Sequence, residues 1–162
     1  MKTLNQKVDV CVVSPHEFFI KHQKQLLPSW QTEVSYLILV LQRSSLSLEE
    51  LTPQLAREKD RLRAKFIRMG CSLIFALQDL GFESDLFDPR TGYPLITKPN
   101  LTFDDNAAVN ALLGYPIVTY KRCSLITHPT WGHNVYPGAI ATAANREQIE
   151  SCLPQVMAEQ NW

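Results

Sequence analysis

The chain carries no excess of either charge: sixteen Lys and Arg balance sixteen Asp and Glu. Domains that grip duplex nucleic acid draw their affinity from a basic excess, so no nucleic-acid partner is expected. Near-zero net charge also weakens self-repulsion, which permits a homodimer. Cysteine is sparse and scattered: Cys11, Cys71, Cys123 and Cys152 form no Cys-x-x-Cys pair, which excludes a zinc ribbon or a thioredoxin-type motif. Cys11 and Cys71 lie in apolar stretches and read as core thiols. The longest apolar run, Leu37 to Leu41, is far too short to span a bilayer, so no membrane role is expected. Met1 to Lys7 is a polar tail without a leader-peptide pattern, which makes the cytoplasm the expected compartment. No Gly-rich phosphate loop, Walker loop or Gly-x-Ser-x-Gly elbow occurs, and the nucleotide and hydrolase chemistry tied to them goes unsupported.

What is present is ordinary globular material. Hydrophobic residues make up 45% of 162 positions, enough for one cored domain over residues 1–162. Val8 to Val13 reads as a strand. Ser14-Pro15-His16-Glu17 then predicts a capped helix running to about Leu26, with Val13 and Phe18 as its hydrophobic staple. Val34 to Leu41 reads as a central strand, because its apolar character is nearly continuous. Thr52 is placed to cap a long helix over Pro53 to Leu80. Leu55, Leu62, Phe66, Met69, Leu73, Leu77 and Leu80 share one face of it, Gly70 allows close packing, and Gly81 is a stop. Arg57, Lys59, Arg61, Arg63, Lys65 and Arg68 read as a solvated face with local ion pairs.

Phe82 to Phe87 is expected as a third strand, with turn chemistry over Asp88 to Gly92. Asp104-Asp105 opens a short helix ending at Gly114. Ile117 to Thr127 reads as one strand with a bend, and Val135 to Thr142 as another. Asn145 caps a final helix that Pro154 breaks or restarts. The sum is α+β, a mixed sheet against one long helix.

Polar chemistry concentrates between Arg122 and His133. Cys123, beside Lys121 and Arg122, would gain thiolate character from the cations if exposed. Cys123, His128 and His133 are also metal-ligand types, although no fourth ligand is apparent. The plainer readings are that His128, before Pro129, bonds to backbone in a turn, and that Trp131-Gly132 is a loop anchored by its indole.

Several ordered segments resemble a known family. Leu86-Phe87-Asp88-Pro89-Arg90-Thr91-Gly92, Leu113-Gly114-Tyr115, Cys123 through His128 to Trp131-Gly132, and Gly138-Ala139-Ile140-Ala141-Thr142 are similar to the C-terminal domain of the methylmalonic aciduria and homocystinuria type D proteins. The resemblance runs from Val8 to Ala144. It implies a nitroreductase-like but flavin-free fold. It also implies an adaptor, not an enzyme, that partners a cobalamin-processing protein and directs cobalamin to its dependent enzymes. No tightly bound cofactor is expected, with cobalamin as a transient ligand. Where animal members carry a Cys-Cys pair, this chain has Arg122-Cys123, and the family's cobalt-binding thiolate aligns with Arg122. If both residues lay on a strand, Cys123 would face away from the ligand. The ligand-binding candidates are Arg122, Cys123, His128, Trp131, Gly132 and His133, the last standing where the family favours Thr. The competing reading is a nitroreductase-like or thiol-dependent redox enzyme centred on Cys123.

Overall fold

The computed structural model describes residues 6–162, so most of the polar tail over residues 1–7 lies outside the described residues. The elements follow as β1 (Val8–Val13), α1 (Glu17–Leu26), β2 (Tyr36–Arg43), α2 (Pro53–Asp79), β3 (Ser84–Phe87), α3 (Asp105–Leu113), β4 (Ile117–Tyr120), β5 (Cys123–Ile126), β6 (Val135–Thr142) and α4 (Arg146–Glu159). The fold is α+β, as expected. The sheet is not mixed: its four strands run in the order β1-β2-β6-β3 and every pairing is antiparallel. The strand-helix-strand order at the start makes no parallel crossover. Instead α1 and the segment 27–35 make an out-and-back excursion, and β2 re-enters at the end where β1 left.

β2 is central, paired on one edge with β1 and on the other with β6. Its alternate side chains face opposite layers. Ile38 and Val40 meet Phe66, Met69, Leu73 and Leu77 of α2, with Ile149, Leu153 and Val156 of α4. Leu37, Leu39 and Leu41 meet Phe19 of α1, Ala108 and Val109 of α3, and Phe87 and Phe103. One long helix therefore covers one face only with the help of α4, and α1 and α3 cover the other. Sheets with both faces buried need near-continuous apolar strands, which explains the Leu37–Leu41 run.

α2 begins where its sequence dictates. The Thr52 hydroxyl accepts from the Leu55 amide at 3.1 Å, and Pro53 occupies the first turn. Gly81 ends it at φ 93°. Leu80 leaves the apolar face and is exposed. A Cβ on Gly70 would lie 2.6 Å from a Leu86 methyl, and one on Gly138 would lie 2.8 Å from the Phe66 ring. These two glycines set how closely α2 approaches β3 and β6.

α1 departs from expectation at its start. His16, not Ser14, is the N-cap, and no side chain caps it. The Pro15 ring therefore sits outside the helix. Phe18 is exposed and stacks on His22 instead of stapling Val13. Pro154 does not break α4, which runs unbroken through it from the Asn145 cap. Gln42 reaches from β2 to the Leu62 carbonyl of α2 at 2.9 Å, both groups buried.

Candidate functional site

The segment expected as one bent strand is a hairpin. β4 pairs with β5 from Ile117↔Ile126 to Tyr120↔Cys123. The loop is Lys121-Arg122, at φ 45° and 67°. Positive φ at both loop positions is the geometry that suits a two-residue hairpin, and it favours Asn-Gly. Lys and Arg hold it against a steric cost. Arg122 is thus a turn residue at the tip and not a strand residue. The alternation argument that turned Cys123 away from a ligand has no basis in this geometry. Cys123 is the first residue of β5, half-buried, opposite Tyr120. The Lys121 ammonium lies 5.3 Å from the centre of the Tyr120 ring.

The hairpin stands out from the body. All four β4 residues are exposed. It is tied to α3 by Asn106, whose amide donates to the Ser124 carbonyl at 2.9 Å, and by Asn110, which donates to the Tyr115 carbonyl at 2.8 Å. Gly114, at φ 74°, turns the chain from α3 toward the hairpin.

At the hairpin's base the 128–133 loop is locked from within. His128 is almost fully buried. Its Nδ1 accepts from the Thr130 and Trp131 amides at 3.0 and 3.1 Å, and its Nε2 lies 2.7 Å from Asp9 of β1. Two amide donors on Nδ1 fix the proton on Nε2, which therefore donates to the Asp9 carboxylate. The imidazole stacks on the Trp131 indole at 3.9 Å and 9°. Gly132, at φ 58°, lets its backbone bridge back to His128. His133 points elsewhere: Nδ1 contacts Glu49 and Nε2 lies 3.2 Å from Thr127.

The structure therefore divides the six candidates. His128, Trp131 and Gly132 form one structural lock. His133 is committed to Glu49 and Thr127. Of the six, Arg122 and Cys123 alone stand at the tip, and the five residue steps from Cys123 to His128 separate them from the lock by roughly 16 Å of chain, at about 3.3 Å per extended residue. Among the described residues no three His, Cys, Asp or Glu side chains gather to hold a metal. Among the described residues no helix is long and apolar enough to cross a membrane.

Sequence reasoning missed the partners. Asp9, the acid in an otherwise apolar strand, was the available signal for a hydrogen-bonded polar partner across the fold. Asp88 is a second case. It holds Arg63 of α2 through both carboxylate oxygens, one at 2.7 Å, and accepts from the Arg90 amide at 3.0 Å. The guanidinium beside it holds the Asp88 carboxyl below the usual range. Asp85, fully buried, gathers the amides of Leu86, Leu95, Ile96 and Thr97 at 2.8 to 3.2 Å. Burial pushes its carboxyl up, against the pull of those amides. On the α2 surface Arg61 and Arg63 are structural, and Lys65 lies over the Trp162 ring.

These features define a class: an antiparallel α+β scaffold whose buried polar groups are spent on holding loops, with a strained cationic hairpin projecting from it. The model of the family "Methylmalonic aciduria and homocystinuria type D protein" matches residues 3–152, and the chain belongs to that family. Among curated proteins it is similar to the cobalamin trafficking protein CblD of Mus musculus, 23% identical over 142 residues, covering 87% of this chain and 48% of that protein. The Homo sapiens protein of the same name is 24% identical over 139 residues, covering 85% and 47%. The chain spans about half the length of the curated relatives it matches.

Proposed function

We propose that this chain acts in cobalamin trafficking as an adaptor, presenting the β4–β5 hairpin to a cobalamin-processing protein. The family match over residues 3–152 carries the reading. Three features of the molecule support it. The hairpin tip keeps Lys121 and Arg122 in positive-φ positions that Asn and Gly would fill at lower cost, and strain retained in this way is a mark of functional surface. β4 offers Ile117, Val118 and Tyr120 to solvent beside that tip. The histidines that a metal or thiol mechanism would enlist are already bound to Asp9 and Glu49.

In this reading Arg122 supplies charge where animal relatives carry a thiol, and Cys123 is the thiol within reach of a docked ligand. The scaffold is a flavin-free relative of the nitroreductases. The test mixes the purified protein with a reduced cobalamin and the processing protein, for wild type and Cys123→Ser. A cobalt spectrum that changes with wild type and not with the variant supports thiol contact. Co-elution with both variants and identical spectra keeps the adaptor and removes the thiol. Absence of co-elution with an unchanged spectrum rejects the proposal.

A further inference from the structure

A cleft of about 630 Å³ opens between the start of α2, the 89–92 turn, the start of α3 and the strands β5 and β6. That volume suits a small organic ligand. It is separate from the 128–133 loop, and Arg122 and Cys123 do not line it.

Its walls carry an acid-phenol pair and, from α2 and the 89–92 turn, cations interspersed with Asp60. On one side Asp105, the first residue of α3, has a carboxylate oxygen, Oδ1, buried without a hydrogen-bond partner. Such an orphan is uncommon in folded proteins and calls for an explanation. Next to it stands Tyr136 of β6, nearly buried, whose hydroxyl makes no hydrogen bond within the described protein. Burial first, and then the nearby Asp104 and Asp88 carboxylates, push the Asp105 carboxyl well up. Burial first, and then Asp105, likewise raises the Tyr136 phenol. Both shifts favour the neutral forms, an acid and a phenol that offer O–H donors and a carbonyl acceptor. On the opposite side the cations are Lys59, which has no ion-pair partner among the described residues, and Arg90, whose only one is Asp60 at 4.0 Å. Arg63, which also lines the cleft, is engaged by Asp88.

A neutral donor-acceptor pair selects a neutral group that both gives and takes hydrogen bonds. Across the cleft Lys59, and Arg90 in competition with its partner Asp60, favour an anion. We propose that the cleft binds a small molecule bearing a carboxamide at one end and an anionic group at the other, the amide on Asp105 and Tyr136 and the anion between Lys59 and Arg90. This site stands whether or not the chain serves cobalamin.

The test uses the full chain, labelled with nitrogen-15, and three probes: succinamate, succinate and succinamide. Succinamate is expected to shift the amides of Ala56, Thr91, Asn106 and Ser124 saturably. Succinate and succinamide, each lacking one end, should bind about tenfold more weakly, the loss of about 1.4 kcal/mol. Asp105→Leu should abolish the preference for succinamate over succinate, and Lys59→Gln should make succinamate and succinamide equal. Tyr136→Phe, which removes only the hydroxyl, should weaken succinamate several-fold and serves as the deciding variant if Asp105→Leu does not fold. No saturable shift with succinamate, equal binding of all three probes, or unchanged binding in Tyr136→Phe and Asp105→Leu would overturn the assignment.

Discussion

His128 shows how a residue of catalytic type becomes a structural one. Its ring nitrogens are both used, by Asp9 and by two loop amides, and its face is used by Trp131. Replacing it by Phe keeps the stack and strands three polar groups. Each unsatisfied buried group costs about 1–3 kcal/mol. Because Asp9 keeps partial access to water, the loss expected for His128→Phe lies at the low end of that sum, about 3–4 kcal/mol in urea unfolding; an unchanged midpoint would deny the lock. Glu58 supplies the pH-dependent counterpart. Its carboxylate takes Arg61 at 2.8 and 2.9 Å and the Ser45 amide at 3.0 Å, which pins the β2–α2 connection. The Arg61 guanidinium holds the Glu58 carboxyl at about 2. A depressed folded value means that the contribution is full above the unfolded value near 4.5 and is lost as pH falls toward 2. Because Arg61 is largely exposed, Glu58→Gln is expected to cost only about 1–2 kcal/mol at neutral pH. Stability curves of the two proteins measured between neutral pH and pH 2 should converge at the acid end. A constant gap would contradict the ion pair.

Among the elements, those with strong local chemistry were legible in the sequence and those that depend on distant partners were not. Thr52 and Asn145 cap their helices as read, and Asp104, read only as an acid opening its helix, caps it too, each accepting from an amide three residues on. Ser14-Pro15 had the same signature and failed, because nothing in a local pattern reports that the chain stays extended through Pro15 before entering α1. The β4–β5 hairpin was hidden because Lys121-Arg122 lacks turn residues. Lys121→Asn with Arg122→Gly should restore the favoured turn and raise the melting stability by about 1 kcal/mol; a loss would show that the cations are not strained. Gly138 illustrates a constraint that the sequence stated but could not explain. The fully buried Phe66 ring seats on it, so Gly138→Ala must displace a packed aromatic. The expected loss is about 1–3 kcal/mol, read from thermal or urea unfolding, and a neutral effect would mean that α2 is not held against β6 as described.

At the scale of the whole molecule, the α+β class, the central place of β2 and the family were readable from apolar runs and ordered short motifs. The antiparallel sheet, the second helical layer and the cleft were not, because each depends on where connections return and on which charges meet across the fold. Asp9 with His128 and Arg63 with Asp88 join residues far apart in sequence, and periodicity carries no record of such pairs. The molecule carries an exposed, strained and cationic hairpin tip on a body whose buried polar side chains chiefly hold loops in place. We propose that this tip docks a cobalamin-processing protein. The most direct measurement is the affinity of that protein, loaded with cobalamin, for wild type and for the double variant Lys121→Asn, Arg122→Gly. This pair keeps the hairpin and removes its cations. Wild-type binding weakened about tenfold or more in the variant, the loss of about 1.4 kcal/mol or more, is the expected result. Equal affinity for the two would place the contact elsewhere and contradict the claim.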